Sequence, residues 1–303
     1  MDWTHQLKNL GDDVEIQWNV PASTLNTFRV GGTVQCVVRP RTETSLKRVL
    51  QTLQAKGVPW IILGKGSNVL FPDGLWHRVV VLLDLCCAQF QWLPGDDRFG
   101  TVKAGAGMLL SRLLKQCVRY GWSGLEFLAG IPATVGGAVV MNAGTRAGSI
   151  GNVLQQVRLL DRDLQEQTLP RTALTMGYRN GGLPAGAVVL EADFQVTSAT
   201  PHEVAQRIAE MLRHRRASQP RRWPSAGCVF KNPGNQSAGA LIDQAGLKGF
   251  RVGDAEVSTV HANWIVNRGR ATRSEVLQVI EAVRRGVRER FGVELELEVK
   301  VLE

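Results

Sequence analysis

The segment LEFLAGIPATVGGAVVMNAG, residues 125–144, is apolar and rich in glycine, and Glu126 is its only charged residue. Glycine gives up side-chain burial and costs backbone entropy, so a segment of this composition needs a compensating gain. One interpretation is a tight buried turn. The other is a backbone that approaches a large cofactor, whose phosphates and polar ring bind exposed N–H and C=O groups. Other segments of the chain favour the cofactor.

Five further parts of the sequence carry glycines or polar groups that could line a ligand site. They are TFRVGG (27–32), LGKGSN (63–68), Tyr178-Arg179, SAGCVFKNP (225–233) and Glu298 near the C-terminus. The glycine spacing in LGKGSN is not GxGxxG, and no GxxxxGK[ST] is present, so the sequence predicts neither a dinucleotide-binding fingerprint nor a P-loop. An arginine beside a cofactor can bind a carboxylate with two N–H groups.

The elements that must position these groups mix strands and helices without regular alternation, which favours an α+β fold with mixed sheets. Thr42 is expected to cap a helix that buries every third or fourth residue and ends at Gly57. We also expect a helix from Met108 to Tyr120. The predicted strands are 33–39, 60–63, 79–83, 101–104, 153–160 and 187–196.

Two capping signatures open the helices of the C-terminal third. Thr200-Pro201-His202-Glu203 and Thr272-x-x-Glu275 each place a glutamate three residues after a threonine. The first helix is expected to bury Val204, Ile208, Met211 and Leu212 and to end in arginines, and the second to bury Val276, Ile280, Val283, Val287 and Phe291. The alternation from Val293 to Val301 predicts a closing strand.

The composition is that of an ordinary soluble globular protein, with 44% hydrophobic and 21% charged residues among 303. No run resembles a membrane span, and the N-terminus lacks the pattern of a signal peptide. The five cysteines are odd in number and show no CxxC spacing, which favours a reducing cytosol over disulfides or structural zinc. No metal site is expected.

The net charge of +9 raises the alternative of a basic nucleic-acid-binding protein. Arginines cluster between Arg213 and Arg222, but no aromatic residues are interleaved with them to stack bases. A small anionic substrate fits this cluster better, since a few arginines around one site attract phosphate or carboxylate.

In their order and spacing, these segments resemble the UDP-N-acetylenolpyruvoylglucosamine reductase family from about Thr27 to Val299. The short distance from Tyr178 to Ala199 resembles the short form of the family, which lacks an insertion carrying a tyrosine. The resemblance implies an α+β fold, with a two-part FAD-binding region of the vanillyl-alcohol-oxidase type and a separate α+β substrate-binding domain. We place these parts at residues 1–88, 89–197 and 198–303.

The resemblance also implies a cytoplasmic enzyme in which FAD is bound without a covalent link and NADPH is the co-substrate. Its substrate is the small molecule UDP-N-acetylglucosamine enolpyruvate, with no nucleic-acid or membrane partner and a monomeric state. The implied FAD-binding residues are Gly64, Lys65, Gly66, Ser67, Asn68, Pro132, Thr134, Gly136, Gly137, Asn142 and Gly144.

The catalytic residues that the resemblance implies are Arg179, Cys228 and Glu298. Arg179 is expected to stabilise negative charge on the substrate, and Glu298 to assist either in its protonated form or by ordering a donor. The substrate-binding candidates are Tyr178, Arg213, Lys231, Asn232 and His261.

The chain departs from the family pattern at two places. Cys228 stands where the family usually has the serine that protonates C2, and a thiol is the stronger acid of the two. Thr145-Arg146 replaces the usual Ala-Tyr or Ala-His, so the resemblance does not predict the contacts of this loop. The alternative enzyme is another flavin dehydrogenase or oxidase of the same fold.

Overall fold

The structure is a computed structural model that describes residues 3–8, 10–95 and 98–303. Its helices are α1 (Trp3–Lys8), α2 (Glu43–Ala55), α3 (Leu110–Tyr120), α4 (Val135–Val140), α5 (Ile150–Val153), α6 (Pro201–Ser218), α7 (Ala238–Gln244) and α8 (Arg273–Phe291). Short 3₁₀ turns lie at Ala22–Thr24, Glu126–Leu128 and Arg171–Ala173. No helix in the described ranges combines the length and the apolar character that crossing a membrane requires.

The strands of the N-terminal half are β1 (Val14–Pro21), β2 (Thr33–Pro40), β3 (Trp60–Leu63), β4 (Val69–Leu70), β5 (Leu75–Leu82), β6 (Phe90–Pro94), β7 (Phe99–Gly105), β8 (Trp122–Ser123), β9 (Gly144–Thr145) and β10 (Gly148–Ser149). Those that follow are β11 (Leu154–Leu160), β12 (Glu166–Pro170), β13 (Val188–Ser198), β14 (Ser225–Cys228), β15 (Arg251–Val252), β16 (Ala255–Val257), β17 (Trp264–Asn267) and β18 (Lys300–Val301).

The chain forms two compact units. Unit 1 comprises the residues up to Trp18 together with 36–65 and 78–213, and unit 2 comprises residues 19–35, 66–77 and 214–303. Two N-terminal segments therefore belong to the same unit as the C-terminal third. The predicted three-part division at residues 88 and 197 is a different partition and stays a prediction.

Unit 1 is built on a large antiparallel sheet. Its strand order is β12-β11-β13-β7-β6, and β8 pairs with the end of β13. A second sheet has the order β1-β2-β5-β3, in which β3 runs parallel to β5 from the pair Trp60 and Val79 to the pair Leu63 and Leu82. Helices and sheets of both pairing types thus occur together, as the predicted α+β fold requires, whereas the prediction that a single sheet mixes both pairings stays a prediction.

Helix α2 begins and packs as its sequence predicts. The Thr42 side chain accepts a hydrogen bond from the Ser45 amide, and the Ser45 side chain accepts one from the Thr42 amide. The buried stripe consists of Leu46, Val49, Leu50 and Leu53. The helix ends just before Gly57, whose φ of +61° suits glycine.

Unit 2 is an antiparallel sheet of order β14-β17-β16-β15, with α7 and α8 contributing to one apolar core. The capping box of Thr272 and Glu275 is present, and Val276, Ile280, Val283 and Val287 are fully buried, while Phe291 is only partly buried. Helix α6 departs further from expectation, because it continues through its arginines to Ser218 and buries only Val204 fully.

The predicted closing strand is mostly not a strand. Only Lys300–Val301 forms β18, in parallel with Val69–Leu70. The preceding residues divide their hydrogen bonds, since the amides of Glu298 and Val299 donate to the Val229 carbonyl and the amide of Lys300 donates to the Asn68 carbonyl. This change of partner interrupts a regular ladder, although Leu295 and Val299 do face the core.

Asp73 supplies a cap for α8 that the sequence does not reveal. Its two carboxylate oxygens accept hydrogen bonds from the amides of Arg273 and Ser274, at 3.0 and 3.2 Å. The carboxylate therefore satisfies two amides at the helix N-terminus and also complements the helix dipole.

We predict that Asp73→Ala lowers the free energy of unfolding by about 1–2 kcal/mol, because both amides lose their acceptor. Asp163 is an exposed loop residue, and Asp163→Ala is the matched control with an expected change within about 0.5 kcal/mol. Denaturant unfolding measures both variants. Equal stability of Asp73→Ala and Asp163→Ala would contradict the cap.

Candidate functional site

At two positions, neither the backbone conformation nor a close contact within the described protein requires glycine. Within the described ranges, only Gly137 and Gly177 combine a φ outside the left-handed region with room for a side chain. A Cβ on Gly137 would have Thr134 Oγ1 at 3.4 Å as its sole neighbour within 4 Å, and one on Gly177 would have none. Both lie in segments predicted to bind ligand. Open space beside a glycine fits a cradle for a cofactor.

The two glycine-rich segments of unit 1 meet at Thr134. A Cβ on Gly64 would lie 2.5 Å from Thr134 Oγ1, so only glycine allows this approach. The same hydroxyl accepts a hydrogen bond from the Gly137 amide and caps α4. Pro132 and Lys65 lie beside this contact in the sequence and are exposed.

The backbone amides at the start of α4 are less available than the sequence indicates. The Val135 amide donates to the Met108 carbonyl, and the Gly136 amide donates to the Ala106 carbonyl, each at 2.8 Å. A Cβ on Gly136 would lie 2.9 Å from Ala106 Cβ. Packing against the protein therefore explains Gly136, whereas it does not explain Gly137.

In unit 2, Gly66 is also explained by the protein. Its φ is +63°, and a Cβ there would lie 2.1 Å from the Leu25 carbonyl oxygen. Asn68, two residues later, donates a hydrogen bond from Nδ2 to the Glu298 carbonyl at 3.0 Å. Ser67 is half-buried between them. This loop thus binds the segment that carries the candidate glutamate.

Tyr178 and Arg179 form the tip of a turn in unit 1. Gly177 and Asn180 exchange two backbone hydrogen bonds, of 2.9 and 3.1 Å, around this tip. Arg179 has a φ of +56°, which is uncommon for a residue other than glycine and costs about 1–3 kcal/mol. Its guanidinium carbon lies 5.0 Å from the centre of the Tyr178 ring, and Nη1 donates to the Gly144 carbonyl at 3.3 Å.

Cys228 ends a strand that is interrupted by a bulge. The pairing of β14 with β17 shifts register between Ser225 and Cys228, and Gly227 there has a φ of +81°. A bulge of this kind turns the following side chain out of the regular ladder direction. Cys228 is half-buried, whereas burial raises the pKa of Cys36 and of Cys117 to about 12. Those two thiols fit a structural role.

The backbone of residues 229–231 brings the C-terminal segment to the cysteine. The Val229 carbonyl accepts hydrogen bonds from the Glu298 amide at 2.8 Å and the Val299 amide at 3.3 Å. The Lys231 amide donates to the Glu296 carbonyl at 2.8 Å. Cys228 and Glu298 are thus attached to one small backbone framework, although they are far apart in the sequence.

Several candidates for substrate binding already have protein partners. Lys231 Nζ forms an ion pair with the Glu296 carboxylate, and Asn232 Oδ1 accepts a hydrogen bond from the Ala238 amide at 3.0 Å. Burial lowers the pKa of His261, whose Nδ1 accepts from the Asn263 amide at 3.3 Å. The lowered pKa and the accepting Nδ1 both indicate a neutral imidazole. Arg213 is exposed on α6, and its Nη2 lies 3.9 Å from Glu210 Oε1.

Two buried asparagines hold the predicted motifs and were missed from sequence. The Asn263 side chain accepts from the Phe230 amide at 2.9 Å and donates to the Phe230 carbonyl at 2.8 Å, next to Cys228. Asn267 Nδ2 donates to the carbonyls of Phe28 and Arg29, each at 3.2 Å. The available signal was the sequence HANWIVN, in which two amide side chains flank an apolar strand.

Comparisons with known proteins agree along nearly the whole chain. A family profile described as the C-terminal domain of UDP-N-acetylenolpyruvoylglucosamine reductase matches residues 219–302, and one described as an FAD binding domain matches residues 34–165. These matches confirm the predicted fold class, an α+β FAD-binding region followed by a separate α+β domain.

Relatives of similar length extend this agreement. The chain is 44% identical to a UDP-N-acetylenolpyruvoylglucosamine reductase of Syntrophobacter fumaroxidans, over 96% of this chain and 84% of the relative. It is 41% identical to one of Moorella thermoacetica, over 96% and 94%. The crystal structure of the enzyme from Thermus caldophilus superposes with a TM-score of 0.80 at 39% identity, covering 96% of this chain and 99% of that one.

We predict that Gly137→Val yields folded protein with little bound flavin, because the branched side chain fills the open space beside the α4 backbone. Ala55→Val adds the same two methyl groups at an exposed position of α2 and should retain its flavin. The ratio of flavin to protein absorbance, with circular dichroism to verify folding, measures the effect. Full flavin occupancy in Gly137→Val would remove Gly137 from the cofactor site.

Proposed function

Because the chain belongs to the UDP-N-acetylenolpyruvoylglucosamine reductase family, it is an FAD-dependent oxidoreductase of peptidoglycan precursor synthesis, and we propose how its own residues complete the reaction. The reaction reduces UDP-N-acetylglucosamine enolpyruvate to UDP-N-acetylmuramate. The hydrogen-bonded framework that links Cys228 to Glu298 through Val229 carries the proposal.

The residues present fit the cofactor. Gly137 leaves open space at the α4 backbone. Beside it, Gly64 lies against the Thr134 hydroxyl, in a contact that a Cβ would prevent. We propose that the two glycine-rich segments hold FAD, and that the bond is not covalent because neither segment offers a cysteine or histidine. When bound, FAD supplies a hydride, obtained from NADPH, to C3 of the enolpyruvyl group.

Arg179 is proposed to stabilise the charge that this reduction creates. Hydride addition at C3 places negative charge on C2 and on the neighbouring carboxylate. A guanidinium can bind that carboxylate with two N–H groups, and donors that are already oriented contribute most where charge develops. The stacking of Arg179 on Tyr178 and its bond to the Gly144 carbonyl restrict the guanidinium in advance.

Cys228 is proposed to donate the proton to C2. Transfer of the thiol proton completes the saturation of the C2–C3 bond and leaves a thiolate, which regains a proton from solvent. The bulge at Gly227 directs this side chain away from the ladder. Glu298, attached to the same framework, is proposed to assist by ordering a donor beside the reacting carbons.

The remaining assignments concern the nucleotide and the setting of the enzyme. We propose that Tyr178, Arg213, Lys231, Asn232 and His261 face the UDP-sugar, with His261 acting as a neutral hydrogen-bonding group since burial lowers its pKa. A phosphate at Lys231 would compete with Glu296 for the ammonium group. We further propose a cytoplasmic monomer that prefers NADPH to NADH and binds no nucleic acid.

The experiment that tests the function is anaerobic mixing of the purified protein with NADPH, followed by the enolpyruvyl nucleotide. The flavin absorbance near 450 nm should bleach in the first step and return in the second, with formation of UDP-N-acetylmuramate. Reduced flavin that does not respond to the enolpyruvyl nucleotide would refute the proposed substrate. A colourless protein whose binding depends steeply on salt would favour a nucleic-acid ligand.

We predict that Arg179→Ala slows flavin reoxidation by the enolpyruvyl nucleotide on the order of a hundredfold to a thousandfold, because one oriented donor is lost. Reduction by NADPH should change much less. Alanine keeps a Cβ at the position with φ of +56°, so the backbone preference is nearly unaltered. Stopped-flow absorbance separates the two half-reactions, and Arg162→Ala at an exposed loop position is the control. Equal slowing of both halves would indicate a structural role.

We predict that Cys228→Ala is reduced normally by NADPH but is reoxidised very slowly by the enolpyruvyl nucleotide, because the proton donor is missing. Cys228→Ser should retain substantial activity. In the wild type, activity should fall at high pH as the thiol ionises, and the serine variant should lose or shift that decline. Reoxidation of Cys228→Ala at close to the wild-type rate would rule out the assignment.

Alkylation offers an independent check on Cys228. Cys86 is the other partly exposed thiol in the described structure, so the experiment uses a Cys86→Ser background. Alkylation should then reproduce the alanine variant, and bound enolpyruvyl nucleotide should protect the thiol.

A further inference from the structure

The turn that carries Arg179 is anchored through a side chain of the second glycine-rich segment. Asn142 Nδ2 donates to the Gly177 carbonyl at 2.8 Å, at the base of the turn. Asn142 Oδ1 accepts from the Gly151 amide, also at 2.8 Å, near the start of α5. Both ends of one side-chain amide are therefore used to join the turn to a helix.

A second link, made by the Arg171 guanidinium, fixes the same region. Arg171 Nε donates to the Gly151 carbonyl and Arg171 Nη1 donates to the Leu174 carbonyl, each at 3.0 Å. The Gly151 N–H is thus bound by Asn142, and the Gly151 carbonyl is bound by Arg171. Residue 174 begins the loop that contains the Arg179 turn, so the two links hold that loop at its start and at the base of the turn.

The far end of the loop is held by the backbone. The Gly181 amide donates to the Val140 carbonyl at 2.9 Å, and a Cβ on Gly181 would lie 2.3 Å from the Val139 carbonyl oxygen. The Gly144 carbonyl, two residues after Asn142, accepts the bond from Arg179 Nη1. The segment from Val139 to Gly144 therefore contacts the turn at its base, at its exit and at the guanidinium.

We propose that Asn142 is a positioning residue for Arg179 in the reduction of the enolpyruvyl group. This inference rests on the proposed function of Arg179. The resemblance implies that Asn142 binds FAD, whereas this proposal assigns its side chain to the turn, since one Nδ2 hydrogen and Oδ1 are engaged within unit 1. Asn142 has a φ of +42°, a conformation that asparagine tolerates better than most residues, so one residue meets both requirements.

The test is the substitution Asn142→Asp. Aspartate keeps the size, the tolerance for positive φ and the oxygen that accepts from Gly151, but it places an oxygen against the Gly177 carbonyl. Asn152→Asp is the matched control, because Asn152 uses only its Oδ1, as acceptor from Ser149. Both variants add one negative charge to the same region of the sequence.

For Asn142→Asp, we expect reoxidation by the enolpyruvyl nucleotide to slow on the order of tenfold to a hundredfold, the usual cost of a small misplacement. Reduction by NADPH and FAD occupancy should stay within about twofold of the control. Hydrogen exchange of peptides covering residues 174–182 should accelerate, because the turn loses an anchor. Loss of FAD from Asn142→Asp, with unchanged exchange, would overturn the proposal in favour of a cofactor contact.

A double-mutant cycle decides whether Asn142 acts through Arg179. In the Arg179→Ala background, Asn142→Asp should slow reoxidation by less than about twofold, because there is no guanidinium left to position. An equal loss in both backgrounds would overturn the proposal. If the wild-type enzyme itself does not react with the enolpyruvyl nucleotide, the proposed function fails, and the exchange measurement still reports whether Asn142 holds the turn.

Discussion

The candidate chemistry of unit 2 depends on one backbone carbonyl. Val229 accepts hydrogen bonds from both Glu298 and Val299, and this pairing holds the C-terminal segment beside the strand of Cys228. Asn263 fixes the next residue, Phe230, by bonding both its amide and its carbonyl. Because those groups are buried, their loss would leave unsatisfied polar atoms, so the framework is constrained independently of the candidate catalytic side chains.

The glycines of the chain fall into two physical classes. At most positions the protein requires glycine. A Cβ would collide with the backbone at Gly66 and with the Thr134 side chain at Gly64, and φ is positive at Gly227. At Gly137 and Gly177 neither reason applies within the described ranges. A sequence shows all of these glycines alike. The structure distinguishes glycines that the fold needs from those that leave open space beside the backbone.

Polar side chains near the site show a similar division. Asn142, Asn232, His261 and Lys231 suit a phosphate-rich ligand by type, yet each already has a partner within the protein. These contacts fix the loops and the helix start that lie beside the candidate reactive groups. In unit 1 this gives Arg179 an anchored turn, and preorganised donors of this kind are the ones that stabilise developing charge.

Local pattern by itself determined α2 and the capping box and apolar stripe of α8, since the Thr42 and Thr272 boxes and these stripes depend only on near neighbours in the chain. The motifs from TFRVGG to Glu298, taken in order, were enough to indicate the family and its cofactor. Binding a cofactor and an anionic substrate requires particular residue types at these positions. Tertiary structure decided the rest. The C-terminal alternation did not become a long strand, because its amides bind Val229 and Asn68 in turn. The roles of Asp73, Asn142 and Asn263 were hidden for the same reason, since each acts on backbone groups that only folding brings within hydrogen-bonding distance.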